Sequence, residues 1–443
     1  MPYNPRVPPQ LLRQFRDDGK GLGPREAGER IIQAATSRRE FLAAGVSTLT
    51  MAQAPGPIRK LRPMTSGIKP ITDDERRARM EKARRLMREN QIRAMFLEGG
   101  STMFYFTGTK WGRSERTFGM VFPAEGGPAW VVPGFEEARA REVIRFGGDI
   151  RTWEEDESPY RRIAQSLKDR GVSGGRIAVE EQVRFFIYDG IRKEVPAAEF
   201  VSADPVTAGC RMIKSPSEIA LMQRAADITI EAYRAGLATL SEGMSQTDLR
   251  NNILAAYTAL GVQGDVSVSF GKNTAFPHGS IEPQKLRPGD VVQIDDGCIV
   301  EGYRSDVTRT VVFGKATDRQ RQIWNLERKA QDAAFAMARP GATCESVDAA
   351  ARKVITDFGL GPDYKVPGLP HRTGHGIGLD IHEWTYLVRG NKTRLQPGMC
   401  FSDEPMIAIY GEFGMRLEDC MYITESGARM FTRQSPAIDQ PFA

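Results

Sequence analysis

Histidine is scarce in this chain, with only four occurrences in 443 residues. Three of them, His371, His375 and His382, fall in the stretch His371–Glu383, and the fourth is His278. An imidazole can ligate a metal and transfer a proton near neutral pH, so this concentration predicts a functional site. The alternative is a loop of ordinary hydrogen-bonded histidines, which would suit a lone histidine better than a cluster.

Cysteine is equally sparse, and no long apolar run is present. The five cysteines are widely separated and form no CxxC pair, which argues against a disulfide framework and favours buried thiols. No run approaches the roughly 18 apolar residues of a membrane-spanning helix, so we expect no membrane span. The cysteines are Cys210, Cys298, Cys344, Cys400 and Cys420.

The excess of positive charge is confined to one end of the chain. The net charge is +5, but residues 1–66 alone carry +6 and the remainder carries −1. The near-neutral body therefore gives no reason to expect a nucleic-acid partner. A length of 443 residues exceeds one typical core and predicts more than one domain.

Residues 1–66 are predicted to form a basic leader. Within it, residues 37–54 contain the pair Arg38-Arg39, a short apolar run and an A-x-A end, which resembles a twin-arginine export signal. The apolar run is short and the leader is long, so two locations stay open. One is periplasmic or extracellular after export, and the other is cytoplasmic with a disordered tail.

Residues 67–208 show an α/β pattern and contain no histidine. Asp73 or Asp74 is predicted to cap a first helix. Two short apolar runs, 119–122 and 129–132, predict a hairpin. We expect this domain to shape or cover a site rather than to perform chemistry.

Residues 209–443 are predicted to contain a duplicated unit of two helices and a strand pair. Capping signals at Ser215, Ser245, Thr317 and Thr343 open four helices. The glycines that end the corresponding helices recur at an offset of 98 residues, and each helix pair is followed by two apolar strands.

The two strand pairs carry four acids. Asp295 and Asp306 are symmetric about a predicted turn at 300–301, and Glu404 and Glu418 are symmetric about residue 411. Carboxylates directly opposed across strands repel one another unless cations lie between them. Solvent-facing acids are the alternative, but residues 291–294 form an apolar strand that predicts burial.

Four carboxylates and His375 are too many ligands for one tetrahedral zinc, and they suit two divalent cations roughly 3.5–4 Å apart. Oxygen-rich ligation with one nitrogen favours manganese, cobalt, iron or zinc. Arg416 shares a strand face with Glu418, so we expect its guanidinium to orient that carboxylate.

These motifs resemble the pita-bread metallopeptidase family, which includes methionine aminopeptidase, aminopeptidase P and prolidase, and specifically its X-Pro branch. The resemblance implies an α+β protein. A curved antiparallel sheet with duplicated ααββ units would form the catalytic domain at 209–443, beside a smaller α/β creatinase-type domain at 67–208. The matching motifs are Pro277-His278-Gly279, Asp295-x-Gly297, Ser305-Asp306-Val307-Thr308, His371–Glu383, Glu404-Pro405 and Arg416-Leu417-Glu418.

The resemblance also implies residue roles. Asp295 and His375 would each ligate one metal, and Asp306 and Glu418 would bridge both. Glu404 would be a ligand and also move the proton of the metal-bound water. The histidines that would contact the substrate carbonyls and stabilise the tetrahedral intermediate are His278, His371 and His382.

The implied activity is hydrolysis of the bond between an N-terminal residue and proline, in dipeptides or longer peptides. It would use two divalent ions, manganese first, and a metal-bridging hydroxide. A lyase acting on small acids is the alternative. A non-enzymatic module or a metal-free creatinase type is disfavoured because all five ligand positions are filled.

Two further expectations come with the resemblance. Dimers are common in this branch, and Trp111 and Arg113 could gate substrate at a partner subunit's site, with an ordinary surface turn as the alternative. The run Glu404-Pro405-Met406 replaces the family's usual Glu-Pro-Gly, which predicts a changed wall of the substrate pocket.

Overall fold

The computed structural model describes residues 54–443, which belong to one compact unit. Residues 1–53, and with them the twin-arginine segment up to its last residue, lie outside the described part. Among residues 54–443 no helix is both long enough and apolar enough to cross a bilayer.

The N-terminal region is built on a six-stranded mixed sheet whose strands are β1 (Ile92–Glu98), β2 (Gly119–Pro123), β3 (Ala129–Pro133), β4 (Asp149–Trp153), β5 (Gly175–Val179) and β6 (Ala198–Ser202). Their order is β4-β3-β2-β1-β5-β6, with β2 antiparallel to both neighbours and every other pair parallel. The first helix, α1 (Gly56–Arg59), packs against helices of the C-terminal region. The helices around the sheet are α2 (Asp73–Glu89), α3 (Ser101–Thr107), α4 (Glu137–Val143), α5 (Pro159–Lys168), α6 (Phe185–Glu194) and α7 (Asp204–Arg211).

Local signals explain the first elements of this region. Thr72, rather than either predicted aspartate, caps α2 by accepting the backbone N–H of Glu75 at 3.2 Å. Asp73 and Asp74 instead lie in the first turn, where the helix dipole favours negative charge. The predicted hairpin is confirmed as β2 and β3.

Two helix pairs organise the C-terminal region: α8 (Pro216–Leu237) with α9 (Gln246–Leu260), and α10 (Asp318–Met337) with α11 (Cys344–Asp357). The predicted capping boxes are present at Ser215, Ser245 and Thr317. Thr343 occupies the N-cap of α11 without a side-chain capping bond.

The C-terminal strands form a curled antiparallel sheet of eight strands and two small sheets. The strands are β7 (Gln263–Gly264), β8 (Ser267–Phe270), β9 (Val291–Asp295), β10 (Cys298–Val300), β11 (Tyr303–Arg304), β12 (Val307–Val312), β13 (Gly374–Gly376), β14 (Glu383–Leu387), β15 (Cys400–Asp403), β16 (Met406–Ile409), β17 (Phe413–Arg416), β18 (Glu418–Thr424) and β19 (Gly427–Met430). The main sheet has the order β14-β13-β15-β18-β12-β9-β8, with β19 on β18. The small sheets are β11-β10-β7 and β16-β17.

The turns at Gly243 and Gly341 make matching contacts, as the duplication predicted from glycine spacing requires. The backbone N–H of Gly243 donates to Leu286 O at 2.8 Å, and that of Gly341 donates to Leu395 O at 2.9 Å. Both glycines have positive φ, the left-handed conformation that only glycine adopts at no steric cost. In each unit, therefore, the turn between the two helices bonds to the segment that precedes β9 or β15.

The first acid-bearing hairpin turns one residue later than predicted. Val300 pairs with Tyr303, so the turn residues are Glu301 and Gly302, with φ of 50° and 91°. Two successive positive φ values suit a two-residue hairpin loop with glycine second. The β-branched Val300 fits such a turn poorly, which is the physical reason for the shift.

The predicted opposition of Asp295 and Asp306 is therefore wrong. A turn displaced by one residue displaces each cross-strand partner by two. Thr308 lies beside Asp295, and its hydroxyl is 2.7 Å from the carboxylate.

The second hairpin has the predicted symmetry. Asp403 pairs with Asp419, and the next step of the same register sets Glu404 opposite Glu418. Because side chains alternate along a strand, the two glutamates lie on the opposite face from the two aspartates.

Candidate metal centre and active site

Three of the predicted metal ligands converge at one place in the curled sheet. Asp306, His375 and Glu418 offer ligand atoms that all lie within 4.8 Å of one another, and all three residues are buried. Asp306 directly precedes β12, His375 is central in β13 and Glu418 opens β18. One curled sheet thus brings together three positions, of which Asp306 and Glu418 are more than 100 residues apart.

Glu404 joins this group through His375. Its Oε1 lies 3.0 Å from His375 Nε2, which is also 3.5 Å from Asp306 Oδ2. The Ser402 hydroxyl donates to Glu404 Oε1 at 3.1 Å and accepts the backbone N–H of His375 at 2.9 Å. Ser402 fixes both groups, and no sequence signal had singled it out.

The tautomer of His375 indicates that a cation belongs beside its Nε2. Nδ1 lies 3.1 Å from Gly376 O, and since a carbonyl only accepts, Nδ1 must donate. A neutral ring would then direct its Nε2 lone pair at two carboxylates, which is unfavourable unless a cation lies between. Burial lowers the pKa of His375, but Glu404 and Asp306 outweigh it and raise the pKa to about 10. A divalent cation beside Nε2 would satisfy the imidazole and both carboxylates.

Asp295 lies at the other side of the group. It forms a buried ion pair with Arg416, whose Nε also donates to Thr308 Oγ1 at 3.1 Å. The Thr308 hydroxyl lies 2.7 Å from both Asp295 Oδ1 and Glu418 Oε2. Arg416 thus contacts Asp295 directly and reaches Glu418 through the Thr308 hydroxyl, so the expectation that it orients Glu418 stays a prediction.

Negative charge exceeds what these partners neutralise. Oε1 of Glu418 is buried with no hydrogen-bond partner among the described residues. Burial, followed by Asp306 and Glu404, raises the pKa of Glu418 well above its ordinary value. Burial likewise raises the pKa of Asp306 to about 6. Several clustered carboxylates, one imidazole and an unpaired oxygen form a donor set that fits divalent cations.

A cavity of ≈ 460 Å³ opens beside this group. It brings all four histidines of the chain together, including His278, which follows Pro277 and is distant in sequence from the other three. Its lining residues are Pro277, His278, His371, Arg372, His375, His382, Glu404 and Arg416.

Burial disfavours the charged form of two of the lining histidines. Burial lowers the pKa of His371, whose Nδ1 donates to Arg372 O at 2.7 Å and whose Nε2 is buried without a partner in residues 54–443. The ring of His382 packs edge-on against His375, with 4.2 Å between centroids. Partial burial and the charge of His375 lower the pKa of His382 to about 4.

Trp111 and Arg113 contact their own region and do not line this cavity. Trp111 stacks on Phe118 with ring centroids 4.0 Å apart, and Arg113 Nε donates to Gly99 O at 2.8 Å. A role at a partner subunit's site stays a prediction.

The residues after Glu404-Pro405, which differ from the family's usual sequence, lie in the protein core. Met406, Ile407 and Ala408 form most of β16 and are fully buried in a hydrophobic cluster. None of them lines the cavity, so the expected change in the pocket wall is not found there.

Comparison with known proteins agrees with this geometry. Residues 220–425 match the model of metallopeptidase family M24, and residues 79–213 match the creatinase/prolidase N-terminal domain. An Xaa-Pro dipeptidase of Lactobacillus delbrueckii subsp. lactis is 32% identical over 367 residues, covering 81% of this chain and 98% of the relative. The chain belongs to metallopeptidase family M24.

Solved structures place this M24 chain among similar folds. Dipeptidase PepE from Mycobacterium ulcerans superposes with a TM-score of 0.77 at 30% identity, covering 85% of this chain and 100% of the other. Prolidase from Thermococcus sibiricus gives 0.75 at 30% identity, covering 81% and 96%. The predicted fold class is confirmed, and the M24 chain is a metallopeptidase whose family implies a dinuclear divalent metal site.

Proposed function

We propose that this protein is a dinuclear X-Pro dipeptidase that hydrolyses the bond between an N-terminal residue and a C-terminal proline. One observation carries the proposal: the acids and His375 that suit two cations border a cavity lined by every other histidine of the chain. The relatives named above as Xaa-Pro dipeptidase and prolidase support the substrate class.

The metal pair is assigned to the five predicted ligands. Asp306 and Glu418 would be shared between the ions, with Asp295 on one side and His375 and Glu404 on the other. Manganese is the first expectation, and cobalt, iron and zinc are alternatives. When bound, the ions supply Lewis acidity that activates water and polarises the scissile carbonyl.

Glu404 is the residue assigned to proton transfer. It lines the cavity, and its Oε1 is fixed by the Ser402 hydroxyl and by His375. A carboxylate held in one orientation at the edge of the substrate space is suited to take a proton and return it to the leaving nitrogen.

His371 receives a narrower role than the family resemblance implied. With Nδ1 donating to a backbone carbonyl, the neutral ring leaves Nε2 as an acceptor. The proline nitrogen of the scissile bond carries no hydrogen, so we assign His371 to the N–H of the substrate's free amine. The carbonyl oxygens are left to His278 and His382, which also line the cavity.

Arg372 supports the choice of dipeptides over longer peptides. It lines the cavity half-buried, and its guanidinium lies over the Tyr386 ring at 4.2 Å. Within residues 54–443 it forms no ion pair with a carboxylate. A guanidinium so placed can bind the free carboxylate of a C-terminal proline, which a longer peptide lacks at that position.

The test combines metal content with a substrate panel. Purified protein should bind two divalent ions per chain and cleave X-Pro dipeptides faster than X-Pro-Y tripeptides or X-Ala dipeptides. Cleavage of a small sulfonium acid without peptidase activity would favour the lyase. Metal-free protein that still cleaves X-Pro would contradict the metal assignment.

Assembly and location belong to the same proposal. We propose a homodimer in which Trp111 and Arg113 approach the partner's cavity, tested by light scattering and by the activity of Trp111→Ala. Export through the signal at 37–54 is tested by fractionating cells and sequencing the mature N-terminus. An intact N-terminus in the cytoplasm would favour the cytosolic alternative.

A further inference from the structure

His382 is placed by its backbone and by the edge-on packing of its ring against His375. Its imidazole makes no hydrogen bond to another residue in the described chain, and it is exposed to the cavity. The carboxylates that bracket it, Asp380 and Glu383, point away from the cavity into protein. The contacts of those two carboxylates therefore fix the backbone on both sides of His382.

Arg211 binds both carboxylates. Its Nη2 pairs with Glu383 Oε2 and lies 2.7 Å from Asp380 Oδ2. The side chains of Arg211 and Glu383 are only 8% and 7% exposed, so little solvent screens the pair. Lys214 approaches Glu383 Oε1 at 2.7 Å as an ion pair rather than as an aligned hydrogen bond.

The same guanidinium is anchored in the N-terminal region. Arg211 ends α7, and its Nη1 donates to Thr102 Oγ1 at 3.0 Å. Thr102 in turn donates to Glu180 at 3.0 Å, and the neighbouring Ser101 hydroxyl donates to Asp380. Contacts thus run from the six-stranded sheet to both sides of His382.

Close packing leaves these groups little freedom. A Cβ on Gly378 would lie 2.5 Å from Glu383 Oε1 and 3.0 Å from Lys214 Cε. The carboxylate therefore packs against the backbone of the segment that ends in His382. A shift of Glu383 would move that segment.

We propose that Arg211 is a positioning residue through which the N-terminal region sets the place of His382 in the cavity. This inference rests on the proposed function for its kinetic readout, but not for its spectroscopic one. Arg211 touches neither the cavity nor a predicted metal ligand, so its effect passes through Asp380 and Glu383.

The matched control is Arg79, which also joins the two regions. Its buried guanidinium lies 3.5 Å from Glu218 and donates to Tyr303 at 3.2 Å, with no contact to residues 380–383. Arg79→Lys thus perturbs a buried charge between the same regions without touching the His382 segment.

The kinetic test is a double-mutant cycle on the metal-loaded protein. Arg211→Lys should lower kcat about 10-fold, the lower range for residues that orient a functional group, with metal content unchanged. In a His382→Ala background, Arg211→Lys should cost nothing further, whereas Arg79→Lys should cost the same in both backgrounds. Equal losses from Arg211→Lys in both backgrounds would overturn the proposal.

The second readout does not depend on the substrate. Only four histidines give ring resonances, so a histidine-labelled, zinc-loaded protein can be assigned by single substitutions. Arg211→Lys should shift the His382 resonance and leave His278 in place, and Arg79→Lys should shift neither. An unmoved His382 resonance would refute the proposal, whereas a shift in a protein inactive on X-Pro substrates would refute only the proposed function.

A milder variant guards against misfolding. Ser101→Ala removes one hydrogen bond to Asp380 and leaves every charge in place. It should shift the His382 resonance in the same direction by a smaller amount. An unshifted resonance in Ser101→Ala, with Arg211→Lys unfolded, would also count against the proposal.

Discussion

The two regions of this protein place charge differently. Around the six-stranded sheet many ion pairs lie at the surface, as in Arg116–Glu155, with side chains 36% and 61% exposed. In the curled sheet the pair Arg309–Asp419 is 0% and 1% exposed. The first region has buried charges too, but Arg79 and Arg211 pair with carboxylates of the second region. The second carries buried charges that must be compensated one by one.

The compensation in the curled sheet is incomplete on both of its faces. Glu418 has an unpaired buried oxygen on the cavity side, and Asp403 has two on the opposite side. Buried polar groups without partners are rare and costly, so their accumulation marks a region shaped by function rather than by stability. A divalent cation would compensate the unpaired oxygen of Glu418 on the cavity side, but not those of Asp403 on the opposite face.

The largest effect on activity is expected when the imidazole ligand of the curled sheet is removed. His375→Ala should lower kcat/KM by about 10³-fold or more and reduce bound metal, since it leaves the acids without their nitrogen partner. Metal analysis and dipeptide cleavage measure the two effects. His278→Ala is the control, which should lose activity but keep its metal. Near-normal turnover of His375→Ala would refute the ligand assignment.

The charge contrast itself can be tested by stability. Arg309→Met should lower the free energy of unfolding by about 3–5 kcal/mol, because it leaves the Asp419 carboxylate buried without its cation. Arg77→Met breaks an exposed pair with Asp74 in the N-terminal region and should cost about 0–1 kcal/mol. Denaturant titration of both variants gives the difference. Equal losses would mean that burial does not separate the two regions.

Arg372 provides a sharper test of what the cavity binds. Arg372→Gln should lower kcat/KM for an X-Pro dipeptide about 10- to 100-fold, the value of a charge-assisted hydrogen bond of about 1.5–3 kcal/mol. An X-Pro amide has no terminal carboxylate and should be cleaved equally by both proteins. Equal losses on dipeptide and amide would assign Arg372 to cavity shape instead.

The smallest effect is expected at the N-terminus. Deleting residues 1–53 should leave kcat and the melting temperature unchanged, because the predicted ligands and the cavity all lie within residues 54–443. Ala54 is buried and is kept in this variant. Insolubility of the shortened protein would show that the leader contributes to the fold.

Local signals predicted local structure well and registers less well. The capping boxes at Ser215 and Ser245 and the repeated glycine turns depend on a few neighbouring residues, so they could be found in the sequence. The turn at Glu301-Gly302 was misplaced by one residue, although Gly302 was its marker. That error moved the partner of Asp295 by two positions.

By itself the sequence indicated that four acids and four histidines belong to one functional set, since their residue types and motif spacing are visible along the chain. Only the tertiary structure decided which side chains contact one another. Arg416 pairs with Asp295, and Ser402 fixes Glu404. Arg211 pairs with Glu383 of the other region. Such contacts depend on the curl of the sheet and on how two regions pack, and neither leaves a periodic trace in the sequence.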